Sequence, residues 1–233
     1  VDVLATNPNI GTLYWTWTIG LSSLFAALLS PIFGSISDQS QNSKLWLIIS
    51  TLIYSFIAFS LWFAVPNSIN IFLIILFIFI GNLFYEISQI FYNGQLKLIT
   101  TKDNYAKLSG FAWGLGYVGT VIIFLIYYGL FLFPKDPIFL LNTSTYENIR
   151  VSFLITGVWI ILFSLPLFFL FKDPISNKEK TKLNIKQSFV QLLITFKNLR
   201  QYKNIIIFLV GRLFYMDGIN AIFAVAAIYA TLV

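Results

Sequence analysis

Apolar residues in this chain come in blocks of about twenty, separated by short polar breaks. Six such runs stand out: 11–33, 45–65, 69–92, 109–133, 151–171, and one from 205 to near the end. A helix needs about 20 mostly apolar residues to cross the hydrocarbon core of a bilayer. Backbone groups find no water there, so each run must satisfy its own hydrogen bonds as a helix. The ten-residue alternating segments of a membrane barrel are absent from the pattern. The breaks carry Pro, Asn, Asp and Lys, which favour turns and hydration. The pattern therefore predicts an all-α polytopic membrane protein built as a helical bundle.

Composition narrows the chemistry. Hydrophobic residues make up 58% of the 233 and charged residues only 10%, against about 25% charged in an ordinary soluble domain. Cysteine and histidine are both missing. That removes disulfides, thiolate chemistry, zinc sites built on those ligands and histidine proton relays. Asp38, Glu86 and Asp217 sit on separate elements and make poor metal-ligand spacing, so no metal, cofactor or enzymatic activity is expected.

The net charge of +6 raises the question of nucleic acid, and the placement of the charges answers it. Stretches 34–44, 94–108 and 172–204 hold twelve Lys and Arg residues, while the opposite side holds only Lys135 and Arg150. The positive-inside rule makes the twelve-residue side cytoplasmic. The basic surplus is then a topology signal, and no nucleic-acid partner is expected. This orientation leaves residues 1–10 outside, with Val1 first and no cleavable signal sequence. An earlier span is expected ahead of residue 1, and the chain reads as a piece of a larger protein. Three parts follow: a five-span bundle over 1–171, a basic cytoplasmic linker over 172–204, and the first span of a second bundle over 205–233. In the linker, Ile185, Phe189, Leu192, Leu193 and Phe196 recur at roughly helical spacing, which predicts a surface helix held near anionic lipid.

Charges inside spans are the strongest functional pointers, because each costs about 2.5–3.5 kcal/mol at the bilayer centre on insertion scales. Three occur: Glu86, Arg212 and Asp217. Asn82, Glu86, Gln89 and Asn93 follow steps of four, three and four, so they share one helix face. Such a stripe either hydrogen-bonds to a partner helix or lines a water-filled path. Arg212 and Asp217 lie about 140° apart on an ideal helix and pair directly only if it distorts, for which Gly218 offers a place. Arg212 either snorkels to the cytoplasmic end or meets substrate; Asp217, followed by Gly218 and Asn220, sits deeper. The fourth span carries Gly110, Gly114, Gly116 and Gly119, whose small size predicts a seam where helix backbones come close. A phosphate loop is excluded, since no strand precedes these glycines and no Lys-Ser/Thr follows. Asn142-Thr143-Ser144 fits a glycosylation acceptor in an outside loop.

Short motifs add a family. GSISD over 34–38, followed by Lys44, resembles the loop between the second and third helices of major facilitator transporters, with its Gly-x-x-x-Asp and trailing basic residues. Gln39 and Asn42 stand where basic residues are usual. FYNGQL (91–96), LSGFAWGLGYVG (108–119) and LFYMDGINA (213–221) resemble, in order, three signatures of the Atg22-like vacuole effluxer group. Together the matches run from about residue 30 to the C-terminus. The resemblance implies a major facilitator-type fold in which the six runs are helices two to seven, with the first helix and helices eight to twelve outside this chain. Gly34, Asp38 and Lys44 would belong to the gating loop, with Asp38 the gating and helix-contact residue.

The function implied is secondary transport of a small solute, amino acids in this family, by alternating access between two six-helix bundles. Under that reading Glu86 carries a coupling proton, Asp217 takes a substrate ammonium group, and Arg212 takes a carboxylate through paired hydrogen bonds. The partners expected are the bilayer, a small-molecule substrate and a proton, with the protein acting as a monomer. The membrane would be a bacterial inner membrane, or a vacuolar one in a eukaryote. A channel, or a transporter-like receptor for another solute, is the alternative.

Overall fold

The structure, a computed structural model, describes residues 8–39, 43–65, 71–134, 141–171, 190 and 203–232. Six α-helices carry them: α1 Pro8–Gln39, α2 Ser43–Ser60, α3 Ile71–Ile99, α4 Tyr105–Tyr127, α5 Glu147–Leu170 and α6 Lys203–Leu232. Short 3-10 turns extend α2 over Leu61–Phe63 and precede α4 and α5. A π turn continues α4 over Tyr128–Leu132. Among the described residues there is no strand. Five stretches are long and apolar enough to cross a membrane: Ile10–Ser37, Ser43–Phe63, Ile71–Leu96, Tyr105–Leu132 and Glu147–Leu170. They coincide with the first five apolar runs. The sixth run forms α6, whose 30 residues rise about 45 Å at 1.5 Å each, more than a hydrocarbon core requires.

Helix ends overrun the apolar blocks. α1 continues to Gln39, α3 to Ile99, and α4 begins at Tyr105. An α-helix satisfies its backbone whether or not its side chains are apolar, so it carries on through the polar head-group layer until a turn residue stops it. The chain divides into two units, 1–183 and 184–233, and α6 belongs to the second. The amphipathic helix expected around Ile185, Phe189, Leu192, Leu193 and Phe196 lies outside the described residues.

Within the first unit α3 packs against both α1 and α2, and α2 packs in turn against α5. Small hydroxyl residues populate the buried surfaces: Thr18, Ser22, Ser50, Thr51 and Ser55. Several return their hydroxyl to their own helix, as Thr18 does to the Tyr14 carbonyl at 2.6 Å and Ser50 to Trp46 at 2.8 Å. That satisfies the polar atom locally and lets the backbones approach. Near the basic loops the core is Ile36, Leu47, Ile87 and Phe91; at the other end it is Leu61, Ala64 and Ile74.

Three glycines mark the closest helix crossings. A Cβ on Gly81 would meet Ile57 Cγ2 at 3.0 Å, one on Gly157 would meet the Phe59 ring at 2.9 Å, and one on Gly94 would run into the Ser37 hydroxyl. The seam expected on the fourth span takes a different form. A Cβ built on Gly110, Gly114 or Gly116 meets nothing within 4 Å, and one on Gly119 meets only Trp159, at 3.8 Å. No residue of α4 is buried, so among the described residues these glycines bring no backbone close. Gly157→Leu is expected to lower the stability of the unit by about 1–3 kcal/mol through overpacking against Phe59. Thermal unfolding in detergent measures it, and an unchanged midpoint would show that the α2–α5 crossing yields.

The antiparallel pair α2 and α5 is pinned at both ends by cations. Lys44, at the start of α2, donates to the carbonyl of Phe171 at the end of α5. Arg150, at the start of α5, donates to the carbonyl of Trp62 at the end of α2. Each cation meets the partner helix where its terminal carbonyls lack intrahelical donors and the helix dipole is negative.

Candidate functional site

The polar stripe of α3 divides into three levels. Asn82 donates to Ser22 Oγ at 2.8 Å and to Ser23 Oγ at 3.3 Å, tying α3 to α1. It also lines a cavity of about 570 Å³ with Trp15, Tyr54, Tyr85, Arg150 and Thr156. Gln89 and Asn93 line a second cavity of about 210 Å³, nearer the basic loops, together with Gln95, Ser109 and Trp113. Glu86 lies between these levels on the same face. It is half-buried, lines neither cavity, and no hydrogen bond or ion pair reaches it among the described residues. Interhelical hydrogen bonding and cavity lining thus coexist on one stripe: Asn82 does both.

The larger cavity is mostly apolar, with polar groups from α2 (Tyr54), α3 (Asn82, Tyr85) and α5 (Arg150, Ser152, Thr156). Tyr54 and Tyr85, both in its lining, are in ring contact, centroids 5.6 Å apart. Arg150 is only 7% exposed. Its Nε donates to the Thr145 carbonyl at 3.2 Å, its guanidinium lies 5.0 Å from the Trp62 ring centroid, and Glu147 stands 3.7 Å away. Glu147 in turn accepts from the Asn142 backbone at 2.8 Å and from Thr145 Oγ1 at 3.2 Å. Tyr146, which lines the cavity, closes this turn with a left-handed backbone, φ 57°. A bulky residue rarely adopts that conformation, and its surroundings have to hold it there.

The motif 34–44, which takes in the end of α1 and the start of α2, meets α3 and the end of α5. Asp38 lies in the last turn of α1, beside the contact between Ser37 and Gly94 of α3. Ser37 Oγ is 3.4 Å from Ser43 Oγ, and Lys44 reaches α5. Gly34 has open space around it.

Arg212, Asp217 and Asn220 belong to the second unit, on α6. That helix runs unbroken through Gly218, so the distortion a direct Arg212–Asp217 pair would need is absent. Sequence reasoning missed two residues. The distribution of basic residues places Arg150 on the outer side and no more, although Glu147 three positions earlier marks it as an i, i+3 partner. Gln95 lies about 200° around the helix from Asn93, off the stripe, and periodicity alone passes over it.

Comparison with known proteins bears on what such a bundle is. The family model described as vacuole effluxer Atg22-like matches residues 11–105 and 97–233. The chain belongs to the Atg22-like vacuole effluxer family. Among its relatives are the uncharacterised MFS-type transporter YxiO of Bacillus subtilis strain 168, 27% identical over 94% of this chain and 50% of that protein. Autophagy-related protein 22 of Yarrowia lipolytica is 29% identical over 54% of this chain and 23% of its own length. The same-named protein of Kluyveromyces lactis is 21% identical over 92% and 46%. The chain therefore spans about half the length of YxiO. No solved structure matches the chain. A member of this family with five stretches long and apolar enough to cross a membrane, it is a multi-pass membrane protein.

Proposed function

We propose that this chain works as part of a secondary transporter that moves small solutes, amino acids first among them, by alternating access. The observation that carries this reading is the α3 stripe. In an apolar helix, Asn82, Gln89 and Asn93 each line a cavity, and Glu86 stands between them. Polar groups inside a membrane span are costly and mark solute paths, and binding sites of such transporters lie near the midplane on facing helices. The name of the family supports export, and amino acids, the cargo the sequence resemblance implies, are the first to try.

In this reading Glu86 carries the coupling proton. A carboxylate with no cation beside it can take up and release a proton as solute passes. On α6, Asp217 takes the ammonium group and Arg212 the carboxylate of a zwitterion, by charge-assisted hydrogen bonds. Glu86→Gln removes the titrating group and keeps its size. The expected result is that amino-acid exchange in proteoliposomes persists while the response to an imposed pH gradient disappears. A variant that still responds like wild type would remove Glu86 from the coupling role.

A further inference from the structure

We infer that Tyr85 is the gate between the two cavities along α3, its ring parting an outer chamber from an inner one. This deepens the alternating-access reading above, and it rests on that reading for the path the cavities form.

Among the described residues, Tyr85 alone lines both the cavity of about 570 Å³ and the cavity of about 210 Å³. On α3 it stands one turn after Asn82, which lines the larger space, and one turn before Gln89, which lines the smaller. Between those two residues the helix rises about 10 Å at 1.5 Å per residue. The larger cavity includes Tyr146 and Arg150, and the smaller includes Ser109, next to the basic stretch 94–108. By the positive-inside rule the larger lies toward the outside and the smaller toward the cytoplasm. A side chain on their shared wall therefore decides whether solute passes from one to the other.

The ring is free to move while its helix is held. Tyr85 is 38% exposed, and exposed side chains change rotamer readily. One turn earlier, a Cβ on Gly81 would meet Ile57 Cγ2 of α2 at 3.0 Å, so the α3 backbone has little room to shift there. Tyr54 of α2 meets the Tyr85 ring at 53° between planes, a tilted contact of the kind aromatic pairs favour. That contact gives the ring a resting position. A tyrosine suits the place, since its ring excludes water and its hydroxyl can bond to solute as it arrives. Rocking of the bundles opens one side at a time, and the ring closes the gap between the chambers while it does so.

The test is the accessibility of a thiol in the inner cavity. Ser109→Cys supplies it in full-length protein otherwise free of cysteine, and a membrane-impermeant sulfonated thiol reagent is added to right-side-out or inside-out membrane vesicles. Labelling is expected to be fast from the cytoplasmic face and slow from the outer face. Adding Tyr85→Ala should raise the outer rate to that of the cytoplasmic face and leave the cytoplasmic rate unchanged. Tyr85→Phe, which keeps the ring, should label as its parent does. Tyr54→Leu frees the ring from an aromatic contact and should raise the outer rate by roughly tenfold. That variant leaves Tyr85 in place, so it carries the test if Tyr85→Ala does not fold.

Equal labelling from the two faces with Tyr85 and Tyr54 intact would overturn the inference, as would an outer rate that neither Tyr85→Ala nor Tyr54→Leu changes. A rise from both faces together would report a loosened bundle, and an opening by Tyr85→Phe as large as by Tyr85→Ala would assign closure to the hydroxyl; either overturns the ring gate. These outcomes leave the carrier reading standing if the wild-type protein exchanges amino acids. The expected labelling without any such exchange would uphold the gate and remove amino acids as the cargo.

Discussion

Phe91→Ala is expected to destabilise the helical unit by about 3–5 kcal/mol, the cost of emptying a well-packed aromatic site. Phe91 is fully buried, at 0% exposure, where three helices meet. Its ring stacks on Trp46 of α2 at 6.2 Å and meets Phe33 of α1 edge-on at 6.1 Å. Ile36, Leu47 and Ile87 complete the cluster. Lipid outside the bundle is as apolar as the core, so the hydrophobic effect does little to hold these helices together; packing does. Alanine at 91 removes the contacts that fix α1 and α2 against α3 next to the 34–44 motif. Phe91→Leu keeps much of the volume and should cost about 1–2 kcal/mol. Thermal inactivation in detergent, compared across the three proteins, ranks them wild type, Leu, Ala. A Phe91→Ala protein as stable as wild type would show that the cluster is not what joins these helices.

Arg150→Ala is the second change with a large expected effect, a loss of about 3 kcal/mol. The guanidinium holds the Trp62 and Thr145 carbonyls, faces the Trp62 ring, and stands beside Glu147. Without it two carbonyls at the end of the larger cavity lose their donor, and Glu147, being partly exposed, recovers some water. Arg150→Lys should rescue only part of the loss, because an ammonium supplies the charge without the planar fork. Lys44→Met, which removes the bond to the Phe171 carbonyl at the other end of the same helix pair, should cost roughly 1 kcal/mol. Unfolding midpoints of the four proteins measure the order. Full stability of Arg150→Ala would make the α2–α5 clamp incidental.

How much of this was legible in the sequence follows from what the bilayer dictates. Membrane thickness fixes helix length, and the absence of water fixes helix as the form, so the first five spans could be read directly from apolar runs. The family was legible because GSISD, FYNGQL, LSGFAWGLGYVG and LFYMDGINA are local strings. Neighbours across helices were not. Nothing in the strings distinguishes Gly94, pressed against Ser37, from Gly114, which faces open space. Counting basic residues places Arg150 on a side of the membrane and says nothing of its burial. Helical periodicity gathered Asn82, Glu86, Gln89 and Asn93, and the structure brings three of the four to cavities. The same periodicity left out Gln95, whose burial becomes apparent only once the helices are packed.

The most direct test of the transport claim is counterflow of a labelled amino-acid mixture into proteoliposomes holding the full-length protein, followed as a function of external concentration. A carrier working by alternating access predicts uptake that saturates and is accelerated by unlabelled amino acid inside. Uptake that rises without saturation and ignores the internal pool would contradict it and point to a channel.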